Sequence, residues 1–162
     1  MPQLAVRAAT VADAATIVAL VRELAAYERE PPEAVKITEA DVLRDGFGPE
    51  PRFEVLLAMR DGNVEGFALI FPNYSTWEGR AGIYIEDLFV RETARGLGLG
   101  RKLLVAIADL ALQRGCPRID LNVLHWNPTR EFYHRIGINH LQAWLPYRIS
   151  GDAIARLAAE AK

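Results

Sequence analysis

The sequence predicts a mixed α/β fold, an α+β arrangement built on one mixed sheet with helices on both faces. Three observations predict it. Strand-like segments follow one another without a helix between residues 53 and 90, which calls for antiparallel neighbours. A strand, a long amphipathic helix and another strand then run from Ile83 to Leu124, the pattern of a right-handed crossover between parallel strands. Finally, helical periods in the first and last thirds of the chain carry recognisable caps.

Taken in order, Leu4 to Ala8 is a short strand. Thr10-Val11-Ala12-Asp13 has the spacing of a capping box, and Ile17, Leu20, Val21 and Leu24 carry the helix it opens to about Glu28. Pro31-Pro32 ends it. A second capping box, Thr38-Glu39-Ala40-Asp41, opens a short helix that Gly46 and Gly48 close. Phe53 to Met59 and Val64 to Phe71 are strands joined by Asp61-Gly62-Asn63, a hairpin turn. Ile83 to Val90, rich in β-branched and aromatic residues, is the next strand. The longest helix covers Gly98 to Gln113 and stops at Gly115. Ile119 to Leu124 is a strand. Asn127-Pro128 places a cap before a proline at the first helical position, and that helix runs to about Ile136. A strand-like segment at Trp144 to Ile149 and an amphipathic helix from Asp152 to Ala161 complete the chain. With no linker, repeat or low-complexity tract, one domain over residues 1–162 is expected.

Composition narrows the function classes. The 162 residues are 51% hydrophobic and 25% charged, with a net charge of −2, so the overall field attracts neither nucleic acid nor an anionic membrane. Neither partner is expected. The first residues lack a cationic and apolar leader, and no apolar run nears the ~20 residues of a membrane span. The single cysteine, Cys116, precludes an internal disulfide and fits a reducing compartment; cytoplasmic residence is the expectation. In Gly115-Cys116-Pro117 the thiol has no neighbouring base to activate it and reads as a packing residue. His125, His134 and His140 show no metal-ligand spacing with carboxylates or Cys116, and no metal is expected.

One stretch carries chemistry. Arg95-Gly96-Leu97-Gly98-Leu99-Gly100-Arg101-Lys102 follows a strand and opens a helix. Glycines allow a sharp turn and close approach of a ligand. The helix start offers unpaired N–H groups, and Arg95, Arg101 and Lys102 add charge. A diphosphate suits such a place. It is not an ATP loop, because Gly100 is followed by Arg101-Lys102 rather than Lys-Ser/Thr; the dinucleotide spacing fails as well, its third glycine falling on Arg101 or Leu103.

Arg95 to Gly100 resembles the acetyl-CoA diphosphate loop, Arg/Gln-x-x-Gly-x-Gly/Ala, of the GNAT N-acetyltransferase superfamily. The element order is similar over nearly the whole chain. Arg7-Ala8-Ala9-Thr10, Glu23 through Glu28, Asp45 through Gly48, Tyr84 through Val90 and Trp126-Asn127 through Phe132-Tyr133 further resemble the diamine (spermidine/spermine-type) branch. The resemblance implies a splayed pair of parallel strands that holds the pantetheine arm. Leu88, Phe89 and Val90 would lend backbone groups, the diphosphate would lie on Arg95, Gly96, Leu97, Gly98, Leu99, Gly100 and Arg101, and Asn127 and Thr129 would touch the cofactor.

By the same resemblance Tyr133 is the proton donor to the departing thiolate, as a phenol with pKa about 10 stays protonated at neutral pH. Glu86 holds the amine and relays its proton, with Asp87 in support; neighbouring strand residues face opposite sides, so without a bulge only one enters the slot. Tyr27 and Glu28 match an amine-binding pair, while Trp77 and Trp126 either wall the site or merely pack. The implied function is direct acetyl transfer, in a ternary complex, from acetyl-CoA to a primary amine of a small molecule, by a homodimer. The substrate is a diamine or polyamine, or a lysine-like amino acid. The segment Asn139 to Trp144 lacks the acidic residues that suit a polycation, and Arg148 adds positive charge nearby, which favours the amino acid. Protein-lysine or N-terminal acetylation, and a non-catalytic CoA-binding regulatory module, are the alternatives.

Overall fold

The computed structural model describes residues 1–161. They form two compact units, one from Met1 to Leu124 and the other from His125 onward. The first contains strands β1 (Leu4–Ala8), β2 (Glu54–Arg60), β3 (Asn63–Ser75), β4 (Arg80–Val90) and β5 (Ile119–Leu121), with helices α1 (Ala14–Tyr27), α2 (Glu39–Phe47) and α3 (Leu99–Gln113). The second contains α4 (Thr129–Arg135) and α5 (Asp152–Ala159).

The five strands lie in sequence order in one sheet. Neighbours are antiparallel except β4 and β5, which the α3 crossover makes parallel, so the sheet is mixed as expected. Between β2 and β3 the loop is two residues, Asp61 (φ 50°) and Gly62 (φ 82°). Two positive φ values match the twist of the flanking strands.

Strand pleating sorts the core into two layers. Val55, Leu57, Phe67, Leu69 and Phe89 pack with Ile17, Leu20 and Leu24 of α1 and Val42 of α2. The alternate residues Leu56, Ala58, Ala68 and Ile70 are also buried and face the other way. There α3, which meets β1 to β4, seals the sheet with Leu99, Leu103, Leu104, Ile107 and Ala111. Thr38 and Asp41 close their capping box: Thr38 Oγ1 accepts from the Asp41 N–H (3.2 Å), and the Thr38 N–H donates to Asp41 Oδ2 (3.0 Å). At the first box Asp13 accepts the Thr10 N–H (2.8 Å) and also a fork from Arg7 (2.7 and 2.8 Å). That fork holds its carboxyl well below the usual carboxylate range.

Several segments differ from expectation: β4 begins at Arg80 rather than Ile83, and β5 ends at Leu121 rather than Leu124. β3 runs four residues past Phe71, through Pro72. The β2 partner ends at the Glu54–Ile70 pair, so Pro72 lies where β3 is an edge and its missing N–H removes nothing from the ladder. Trp144 to Ile149 forms no strand; the segment is exposed coil without a ladder partner among the described residues. Its apolar alternation met the pattern of a strand, but a strand exists only where a second backbone pairs with it, and Pro146 cannot donate. Among the described residues no helix is long and apolar enough to cross a membrane.

Candidate active site

The sheet register creates the feature on which the site depends. Along β3 and β4 the pairs run Ile70–Ile85 and then Leu69–Asp87, leaving Glu86 as an extra residue on β4. This is a β-bulge, and it resets the alternation of side chains. Without it Ile85 and Asp87 would share a face. With it, Ile85 goes with Ile70 on the α3 face, while Asp87 goes with Leu69 and Phe89 on the α1 face. Glu86 itself is exposed and Asp87 is half-buried.

The environment acts on Asp87 accordingly. Burial, then the negative charges of Glu86 and Glu28, push its carboxyl up to about 7. Glu28, just past the end of α1, is raised as well, by burial and then by Glu30. Two carboxylates with raised affinity for protons therefore approach each other from α1 and β4. Arg91, directly after β4, sets that approach: it forks onto both oxygens of Glu23 (2.8 Å each) and donates to the Val64 carbonyl (2.8 Å), tying α1 to the end of the sheet. The Tyr27 ring then lies 6.3 Å from that of Phe89. Tyr27, Glu28 and Asp87, expected together, are brought together. Trp77 is not. It is 88% exposed at the tip of the β3–β4 hairpin, and seven strand residues from Arg80 to Asp87 put it roughly 23 Å away along β4.

β5 leaves β4 after the Ile85–Leu121 pair. Among the described residues no strand pairs with the β4 stretch from Glu86 to Val90 on that side, so its backbone groups there lack a ladder partner. Val90 leads through Arg91 to the glycine turn. Gly96 (φ 78°) and Gly98 (φ 90°) take the left-handed conformation that other residues resist, and a Cβ added at either would meet no atom within 4 Å. The turn is thus open, and α3 starts from it. The first helical bond runs from Lys102 N–H to Gly98 O (3.0 Å), so the N–H groups of Leu99, Gly100 and Arg101 precede the ladder and face an anion's natural position. Arg101 and Lys102 are exposed, whereas the Leu99 side chain is core at 1% exposure, leaving only its backbone for a ligand. These features fit a coenzyme A diphosphate and its arm.

Over this geometry a sequence match can be laid. The Acetyltransferase (GNAT) family matches residues 19–138, well over half of the chain. The chain belongs to this family. It is an acetyltransferase, and the GNAT match crosses from the first compact unit into the second. A thialysine N-epsilon-acetyltransferase of Bos taurus is 36% identical over 96% of this chain and 97% of its own length. A spermidine/spermine N(1)-acetyltransferase-like protein of Homo sapiens is 30% identical over 96% of this chain and 24% of its own. Among solved structures, an integron cassette protein from the mobile metagenome of V. cholerae superposes with a TM-score of 0.79 at 26% identity, covering 96% of this chain and 97% of that one.

In the second unit of this GNAT protein, Asn127 Oδ1 accepts from both the Thr129 N–H (2.9 Å) and the Thr129 hydroxyl (2.6 Å). Asn127 thus caps α4 across Pro128, as expected. Tyr133, one turn into α4, is 6% exposed with its ring 5.6 Å from that of Phe132. Sequence reasoning missed two arrangements. One is the burial of Asp87 rather than Glu86, which depends on where along β4 the bulge falls. The other is the conformation of Arg95. Its guanidinium lies 4.4 Å over the Tyr27 ring and 5.8 Å from that of Phe89, and its Nε–H donates to the Val90 carbonyl (2.9 Å). Among the described residues no group of three side chains is arranged to hold a metal ion.

Proposed function

We propose that this protein transfers an acetyl group from acetyl-CoA to the primary amine of a small amino acid of the lysine type, within a ternary complex. The observation that carries the reading is Asp87, a carboxyl with pKa about 7 at the point where β4 loses its β5 partner. An alkylammonium near pKa 10.4 must shed a proton before it attacks, and a base poised near neutrality suits that task. When bound, acetyl-CoA supplies an activated acetyl thioester. The β4 edge and the open N–H groups of α3 hold its arm and diphosphate. Asp87 takes the ammonium proton, Glu86 keeps the affinity of Asp87 for that proton high, and Tyr27 and Glu28 receive the amine. Tyr133 gives a proton to the departing thiolate, an assignment that rests on the sequence motif.

The named activities of the relatives support two substrate classes, thialysine and a polyamine. The absence of acid in Asn139 to Trp144 and the presence of Arg148 favour a substrate that also carries a carboxylate. A panel of amines with acetyl-CoA, read by thiol release, tests this. Lysine or thialysine is expected to turn over faster than spermidine, and a strong preference for spermidine would overturn the amino-acid reading.

Gly98→Ala offers a second check. A left-handed φ strains an alanine by ~1–2 kcal/mol, yet nothing in the chain blocks the new Cβ. The variant is expected to fold and to bind coenzyme A about tenfold more weakly by calorimetry, since relieving the strain misaligns the first N–H groups of α3. Unchanged affinity would remove the turn from the cofactor site.

We further propose a single cytoplasmic domain that acts as a homodimer. The GNAT match across both units supports the single domain. Trp144, Leu145, Tyr147 and Ile149, all exposed, supply an apolar surface of the kind subunits bury.

A further inference from the structure

Arg95 lies in two neighbourhoods at once. It belongs to the glycine turn in sequence, but its side chain folds away from that turn. Its guanidinium covers the Tyr27 ring at 4.4 Å, and its Nε–H donates to the carbonyl of Val90 at 2.9 Å. Tyr27 adjoins Glu28, and Val90 ends the stretch of β4 that β5 leaves unpaired. One side chain therefore occupies a backbone acceptor on the cofactor side and an aromatic face on the amine side.

We infer that Arg95 is a positioning residue shared by the two substrates, parked over Tyr27 in the free protein and released from it when the glycine turn takes up a diphosphate. The inference rests on the reading that this turn is the coenzyme A site and that Tyr27 lines the amine site. Three physical points support it. Arg95 is exposed, so both of its contacts are of the weak, solvent-screened kind. A phosphate oxygen is a charged acceptor, and Arg95 exchanges an uncharged carbonyl for a stronger, bidentate partner if it turns toward one. Gly96, beside it, has a positive φ, and a Cβ there would meet nothing within 4 Å, so the turn presents no side chain at that position to compete with Arg95 for a phosphate.

The exchange has a consequence for the order of binding. While parked, Arg95 puts a positive charge over the aromatic face that an ammonium would use, and like charges repel. Once it has left, that face and the carboxylates of Glu28 and Asp87 are available to the amine. Coenzyme A and amine then strengthen each other's binding, as linkage requires. The Val90 carbonyl is freed at the same time for a backbone-like bond along β4.

Arg95 Nε–H in the full-length, nitrogen-15-labelled protein reports the parked state directly. In the free protein its proton is expected to carry the ring-current shift of Tyr27, read as an upfield displacement relative to Tyr27→Leu, in which the Val90 bond remains and the ring is gone. Coenzyme A is expected to remove that displacement while giving heat in calorimetry. In parallel, Arg95→Gln should tighten lysine binding to the free protein about tenfold and abolish its dependence on coenzyme A. An unshifted resonance in the free protein, or one indifferent to Tyr27→Leu, overturns the parked conformation. Heat from coenzyme A with no movement of the resonance overturns the release. A shifted resonance without any heat from coenzyme A refutes instead the cofactor reading, and the release falls with it while the parked contact stands. Lysine affinity unchanged by Arg95→Gln overturns the coupling.

Discussion

Replacing Asp87 by Asn is expected to lower kcat/KM for the amine by about 10²–10⁴-fold, the range that a positioned general base supplies. The asparagine keeps the shape and loses the proton affinity. In the native protein kcat/KM should fall as pH drops through about 7, where Asp87 becomes protonated; in Asp87→Asn that acidic limb disappears. Glu86→Gln is the companion change. The negative charge of Glu86 helps raise Asp87, so its removal moves the limb to lower pH while most of the rate survives. Stability should move in the opposite sense to activity. The carboxyl of Asp87 titrates near 3.8 when unfolded and at about 7 when folded, so the folded chain binds the extra proton. Its contribution is fully present below pH 4, declines from there as pH rises to 7, and stays lost above. The difference corresponds to at most about 4 kcal/mol. Asp87→Asn is therefore expected to melt at a higher temperature than the native protein at pH 8 and to show no such gain at pH 4. A variant that lost activity without this pH-dependent stabilisation would show that Asp87 is not buried as a carboxylate.

Tyr133→Phe is expected to reduce kcat by about 10²-fold or more, as loss of a general acid does, with little change in coenzyme A affinity. The phenol ring is almost wholly buried, and phenylalanine retains the packing of that ring. Selective loss of kcat distinguishes a proton donor from a packing residue, because the latter would lower stability and leave turnover near normal. A thiol-release assay with donors of different leaving-group acidity sharpens the test. The more acidic the departing thiol, the less the missing hydroxyl should matter.

The elements and their order were legible because their signals are local. Asp61-Gly62 dictates a tight hairpin through two positive φ values, Thr38 and Asp41 cap a helix across three residues, and the period of Leu99, Leu103, Leu104, Ile107 and Ala111 marks one face of α3. The glycine turn was equally visible, since the need for backbone freedom before a helix start is written in the residues that supply it. Trp144 to Ile149 shows the limit of such reading. Its apolar alternation is that of a strand, but pairing is a property of two segments, and among the described residues no second strand pairs with it.

The candidate site was legible as a list and not as an arrangement. Tyr27, Glu28, Glu86 and Asp87 were all marked, yet their roles depended on facing. The extra residue at Glu86 turned Asp87 into the layer beneath α1, the Arg91–Glu23 fork fixed α1 over it, and the hairpin carried Trp77 to a distant tip. By itself, then, the sequence determined the family, the order of the elements from β1 to α4 and the glycine turn before α3, each from signals within a few residues. Tertiary structure alone decided which carboxylate is held in low dielectric and where Arg95 rests. Those outcomes come from strand register and from side chains far apart in the chain, and a period-2 pattern cannot count a residue that the neighbouring strand leaves out.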